Sequence, residues 1–96
     1  MILVRTKRAR QDLIDIWLYV ATEDQDAADA VLDGIDAKCQ LLVRHPLLGP
    51  SREDIRPGFR YLRAGQYLVL YQVDESVVRI VRVLHERRDL NGIFSF

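Results

Sequence analysis

Two neighbouring strand-like segments near the end of the chain are apolar on both faces, and this constrains the fold more than any other feature. In residues 67–73 the side chains of Tyr67, Val69, Tyr71 and Val73 alternate with Leu68 and Leu70. In residues 77–84 simple alternation sets Val77, Val81 and Val83 against Val78, Ile80 and Leu84. A sheet with two apolar faces needs cover on both sides. One helical hairpin can cover only one of them; the tail, the long loop, a partner or some combination must cover the other, which makes the second face a candidate binding groove.

The available cover is one pair of helices. Ala9, Leu13, Ile16, Trp17 and Val20 recur at offsets of three and four, predicting a helix over 7–21 with Thr6 as its N-cap. The polar stretch Thr22-Glu23-Asp24-Gln25-Asp26 separates it from a second helix over 26–44, whose stripe is Ala28, Val31, Leu32, Ile35, Cys39 and Leu42. Pro46 stops that helix, because proline disfavours helical geometry in the residue before it. A short polar link between two amphipathic helices predicts an antiparallel hairpin. Ile2 to Arg5 reads as a first strand, and residues 47–58 as a loop broken by Gly49, Pro50, Pro57 and Gly58. Strands over 59–64, 67–73 and 77–84 form an antiparallel meander. The expected fold class is α+β, a β-α-α-β-β-β chain with its helical hairpin packed on an antiparallel sheet, followed by a short C-terminal tail.

Length and charge narrow the function. Ninety-six residues hold one core, so 1–96 is expected to be a single domain. No apolar run approaches the roughly 20 residues of a membrane span. One cysteine, Cys39, permits no internal disulfide and suits a reducing cytoplasm. Residues 1–50 carry six Lys/Arg against eight Asp/Glu (−2) and residues 51–96 eight against six (+2), which cancel to a formal net charge of zero. Direct nucleic-acid binding by the chain alone is not expected, since phosphate contacts demand a basic excess. His45 and His85 have no second ligand at a recognisable spacing, so no metal or cofactor is expected.

Several local signatures follow one another in order along the chain. They are Arg8-Ala9-Arg10-Gln11-Asp12-Leu13-Ile14-Asp15-Ile16-Trp17-Leu18-Tyr19, His45-Pro46-Leu47-Leu48-Gly49, Arg56-Pro57-Gly58-Phe59-Arg60-Tyr61-Leu62, Gly65-Gln66-Tyr67-Leu68-Val69-Leu70-Tyr71-Gln72-Val73 and Ile80-Val81-Arg82-Val83-Leu84-His85-Glu86-Arg87-Arg88-Asp89. Together they resemble the toxins of the RelE/ParE superfamily of type II toxin–antitoxin modules, and its ParE-like branch in particular. The resemblance implies a toxin neutralised by a cognate, ParD-like antitoxin in a hetero-oligomeric complex. ParE-like members poison DNA gyrase by binding and have no established catalytic site. RelE-like members, the alternative, are metal-free endoribonucleases that cut messenger RNA on the ribosome. Such cleavage needs a base near the 2′-hydroxyl, cations on the phosphate and an acid for the leaving oxygen. RelE-like toxins place a cation beside the tyrosine that follows the turn, where this chain has Leu68, and often a tyrosine in the tail, where it has Phe94 and Phe96. No catalytic residue is therefore assigned.

The resemblance turns the cluster His85-Glu86-Arg87-Arg88-Asp89 into a candidate target-contact surface. The expected contact residues are Arg60, Arg63, Arg82, His85, Arg87, Arg88, Phe94 and Phe96. Without the resemblance, a solvated strand end with Arg88 and Asp89 paired locally would be the better account of the cluster.

Overall fold

The computed structural model describes residues 1–88; the expectations for Phe94, Phe96 and the rest of the tail lie outside the described residues. The elements follow the expected order: β1 (Ile2–Arg5), α1 (Lys7–Ala21), α2 (Gln25–Arg44), β2 (Phe59–Ala64), β3 (Tyr67–Asp74) and β4 (Val77–His85). Thr6 caps α1, its side chain accepting a hydrogen bond from the Ala9 amide at 3.0 Å. Asp24 caps α2 in the same way through Ala27. The indole of Trp17 donates to Asp29 at 2.8 Å and ties the two helices together.

The four strands form one sheet in the order β1-β4-β3-β2. Strands β2, β3 and β4 make the expected antiparallel meander. Strand β1 adds a parallel pairing to β4, with Ile2 opposite Val77 and Arg5 opposite Ile80. The α1–α2 hairpin and the meander together form the long connection that a parallel pairing requires.

One expectation about the faces fails. Leu70 lies opposite Arg82 while the next residue, Tyr71, lies opposite Ile80, so Val81 is an extra residue in a β-bulge. A bulge shifts the alternation by one. Val78, Ile80 and Val83 consequently share the core under the helices with Val69, Tyr71, Ile35, Cys39 and Leu42. Val81 and Leu84 belong to the opposite face, with Leu68, Leu70 and Phe59. Simple alternation had paired Val83 with Val81, and Leu84 with Ile80.

The second face is also not the open groove its composition suggested. Phe59, Leu68, Leu70 and Leu84 are all buried within the chain, and Ile55 from the long loop packs against them. That loop is bound down rather than free. Tyr61 donates its amide to the Pro50 carbonyl and Arg52 donates to that of Phe59. Gly49 donates its amide at 2.9 Å to the hydroxyl of Tyr71, a fully buried side chain. A Cβ at Gly49 would lie 2.0 Å from the backbone oxygen of Tyr61, so only glycine fits there.

Two predictions follow from this packing. Gly49→Ala pushes a methyl group into backbone that cannot yield. It should lower stability by about 2 kcal/mol or more, read as a lower urea midpoint with an unchanged slope. Burial raises the Cys39 pKa from 9.0 to about 11, outweighing the opposing pull of Arg5. A thiol whose folded pKa is raised contributes stability that is complete below its unfolded pKa and is lost as pH rises toward the folded value. The urea midpoint of the wild-type chain should therefore fall more than that of Cys39→Ala between pH 9 and 11, and a thiol reagent at pH 8 should label Cys39 only on unfolding.

Candidate functional site

The site is positioned by the way α1 takes over from β1. Strand β1 covers only the first half of β4, up to Ile80. Beyond that point the backbone of β4 would face solvent, and α1 supplies the missing partners. The Thr6 amide donates to the Ile80 carbonyl at 3.0 Å and the Thr6 hydroxyl to the Val81 carbonyl at 2.8 Å. Nearly two turns further on, Asp12 accepts from the Val83 amide at 3.0 Å. The same carboxylate takes two hydrogen bonds from the Arg82 guanidinium, at 2.8 and 2.9 Å. Arg82 and Asp12 are 8% and 9% exposed. The carboxylate holds the Arg82 guanidinium in its charged form even more firmly than usual.

This linkage leaves a groove of about 770 Å³ between α1, the start of α2 and the end of β4. Its floor includes Ile16 and Val83, from the core under the helices, and its rim carries Asp15, Tyr19, His85, Arg87 and Arg88. The chain turns back after β4, where the Arg88 amide donates to the His85 carbonyl at 2.9 Å. That turn places both arginines at the groove mouth. His85 Nδ1 accepts from the Arg87 amide at 3.2 Å. The His85 ring meets Tyr67 edge-on, with centroids 5.4 Å apart. The arrangement is a half-apolar cleft with two exposed cations at its mouth. It suits recognition of an acidic, partly apolar protein surface.

The expected contact residues are only partly brought together. His85, Arg87 and Arg88 share the groove. Arg63 is exposed next to them but pairs with Glu86. Arg60 stands at the other end of β2, donating to the Gly49 carbonyl at 2.8 Å and holding the loop in place. Arg82 lies in the interior, committed to Asp12, and offers no charge to a partner. It was expected at the contact surface as a cation close in sequence to the His85–Asp89 cluster. The signal that could have revealed its role is Asp12, a carboxylate set three residues after Ala9 and four before Ile16 on the buried face of α1. Tyr19 and Asp15 were not anticipated as rim residues, because a helix pattern does not say what lies beyond its polar face. Among the described residues no three His, Cys, Asp or Glu side chains come together to hold a metal, and no helix is long and apolar enough to cross a membrane.

Comparison with known proteins places these features in context. Residues 3–90 match the family described as the ParE toxin of the type II toxin–antitoxin system parDE. The chain is similar to Toxin ParE1 of Caulobacter vibrioides, at 35% identity over 83 residues that cover 84% of each chain. Among solved structures it resembles a chain of the chromosomal ParDE TA system from P. aeruginosa, with a TM-score of 0.75 and 24% identity. That likeness covers 88% of this chain and 95% of the other, and it is one of fold. A chain of the toxin–antitoxin complex RelBE2 from Mycobacterium tuberculosis matches with a TM-score of 0.56 and 30% identity over the same shares.

Removing one partner of a buried ion pair strands the other charge. Asp12→Ala should therefore cost about 3–5 kcal/mol, and it also orphans the Val83 amide. Asp12→Leu combined with Arg82→Met should recover most of that loss by removing the buried charge. Urea denaturation of the three proteins checks this; equal stability of Asp12→Ala and the wild type would show that the pair holds nothing together.

Proposed function

Because the chain belongs to the ParE toxin family of type II toxin–antitoxin systems, we propose that it inhibits DNA gyrase by binding it and is kept inactive by a cognate antitoxin in a hetero-oligomeric complex. In this reading residues 1–96 act as one toxin domain in the cytoplasm, without a cofactor. The observation that carries the choice of binding over RNA cleavage is the state of the sheet interior. Leu68 is buried with Phe59, Leu70 and Leu84, and Arg82 is neutralised by Asp12. Neither position offers a free cation to a scissile phosphate, and transition-state charge stabilisation is what such cleavage most needs.

Target recognition then falls to the groove mouth. Arg87 and Arg88 are exposed beside an apolar floor, and arginine next to apolar surface is the kind of side chain that dominates protein interfaces. Arg63 and His85 contribute at the same end, while Arg60 acts indirectly by fixing the loop. The C-terminal residues Phe94 and Phe96 complete the contact in this proposal. A second reading, ribosome-dependent RNA cleavage, draws on the likeness to a RelBE2 chain and on the nearness of His85 to two arginines. It would require His85 to act as an acid or base.

Replacing Arg87 and Arg88 together with alanine should weaken growth inhibition and inhibition of gyrase supercoiling by about tenfold or more, the scale of one or two interface arginines. Circular dichroism should be unchanged. Deleting residues 93–96 should act in the same direction. Full toxicity in both variants would overturn the proposed contact surface. Codon-specific cuts in messenger RNA that vanish in His85→Ala would replace gyrase binding with the ribonuclease reading.

A further inference from the structure

Charge along the helical hairpin is sharply segregated. Residues 11–37 carry eight Asp/Glu and no Lys or Arg, whereas residues 5–10 carry four Lys/Arg and no acid. Folding the chain back at residues 22–24 sets these blocks at opposite ends of one surface. Glu23, Asp24 and Asp26 are exposed at the turn, and Lys7, Arg8 and Arg10 are exposed at the open end. None of these is in an ion pair among the described residues. The bases also sit badly for the helix that carries them. A helix N-terminus favours negative charge, yet the first turn of α1 has no acidic residue and its last turn no basic one. The stability of the chain itself therefore does not account for this placement.

Between the two charged ends the outward side of α1 is apolar. Ile14 and Leu18 are 53% and 55% exposed and, four residues apart, lie side by side on one face of the helix. Neither lines the groove beneath α1. A surface with an acidic end, an apolar centre and a basic end is complementary to itself turned end for end. We propose that it is the contact between two copies of this chain, with α1 packed antiparallel on the partner's α1 about a twofold axis between Ile14 and Leu18. Ile14 of each copy then meets Leu18 of the other. At a rise of 1.5 Å per residue, Lys7 and Arg8 lie about 12 Å or a little more from the axis, level with the partner's acidic turn. A parallel arrangement would set like charges against each other, whereas the antiparallel one also opposes the helix dipoles. The complement that the acidic turn lacks is present in this same chain at the matching distance, which favours a second copy over a foreign basic partner. Asp15 and Tyr19 stay on the flank of α1, so each dimer presents two grooves.

The test is sedimentation equilibrium of the full-length chain on its own. The wild type should be dimeric at about 0.1 mM, where a complex of micromolar affinity is largely formed, and added salt should weaken it. Leu18→Glu puts an unpaired charge at the apolar centre and should raise the dissociation constant about tenfold or more. Lys7→Glu with Arg8→Glu should do the same while the urea midpoint holds or rises, since acids suit a helix N-terminus. Glu23→Lys with Asp26→Lys should also lose the dimer, with circular dichroism unchanged. Mixed in equal amounts, the two charge-reversed proteins should form a heterodimer, because each then offers the end that the other needs. Damage to the fold could not produce that rescue. A wild type that stays monomeric would overturn the inference and leave the acidic turn to a basic partner chain. So would a dimer that Leu18→Glu leaves intact, or charge-reversed proteins that fail to pair when mixed. The readout is association alone, so its outcome is independent of the gyrase reading.

Discussion

The contact between Asp12 and the end of β4 is the constraint on which the rest of this structure depends. It joins residues 70 positions apart and satisfies three donors with one carboxylate: two from Arg82 and the Val83 amide. A buried ion pair of this kind adds little net stability compared with apolar residues of the same volume. Its value lies in specificity. The pairing of β1 on β4 ends at Ile80, four residues before Leu84, and without α1 the backbone of β4 beyond the bulge would be an open edge. Thr6 and Asp12 close that edge from the same helix, which sets where α1 lies along the sheet.

Placing α1 places the candidate groove. With its first turns tied to β4, the later turns that carry Asp15 and Tyr19 stand off from the strand end, and a groove opens beneath them. The turn after β4 then brings Arg87 and Arg88 to the mouth of that groove. At the other end of the sheet, Arg60 and the Tyr71 hydroxyl hold the long loop down, so its ordered backbone can help cover the second apolar face. The molecule thus separates its cations by role. Arg82 and Arg60 are tied into the architecture, Arg63 is balanced by Glu86, and the two arginines of the turn remain for a partner.

Much of this was legible in the residues themselves. Helix and strand boundaries agreed to within one residue at every end, because caps such as Thr6, stops such as Pro46 and the two periodicities are local properties. The apolar stripe of α2 was read correctly for the same reason. Three features were not legible. The bulge at Val81 hides within an unbroken run of apolar residues, where alternation has no polar member to mark a slip. The long loop was one of several covers open to the second face, and that Ile55 packs over Phe59, Leu68, Leu70 and Leu84 depends on where the loop settles. The burial of Arg82 depends on a carboxylate far away in sequence.

The sequence by itself determined the order and type of the elements and the apolar character of both sheet faces, which follow from short-range patterns; the toxin family entered as a resemblance, and comparison with known proteins shows it. Only the tertiary structure decided which charges are free. A guanidinium on a strand has the same local signature whether it faces water or a buried carboxylate, and the difference lies in the desolvation that packing α1 against β4 imposes on Arg82 and spares Arg87 and Arg88.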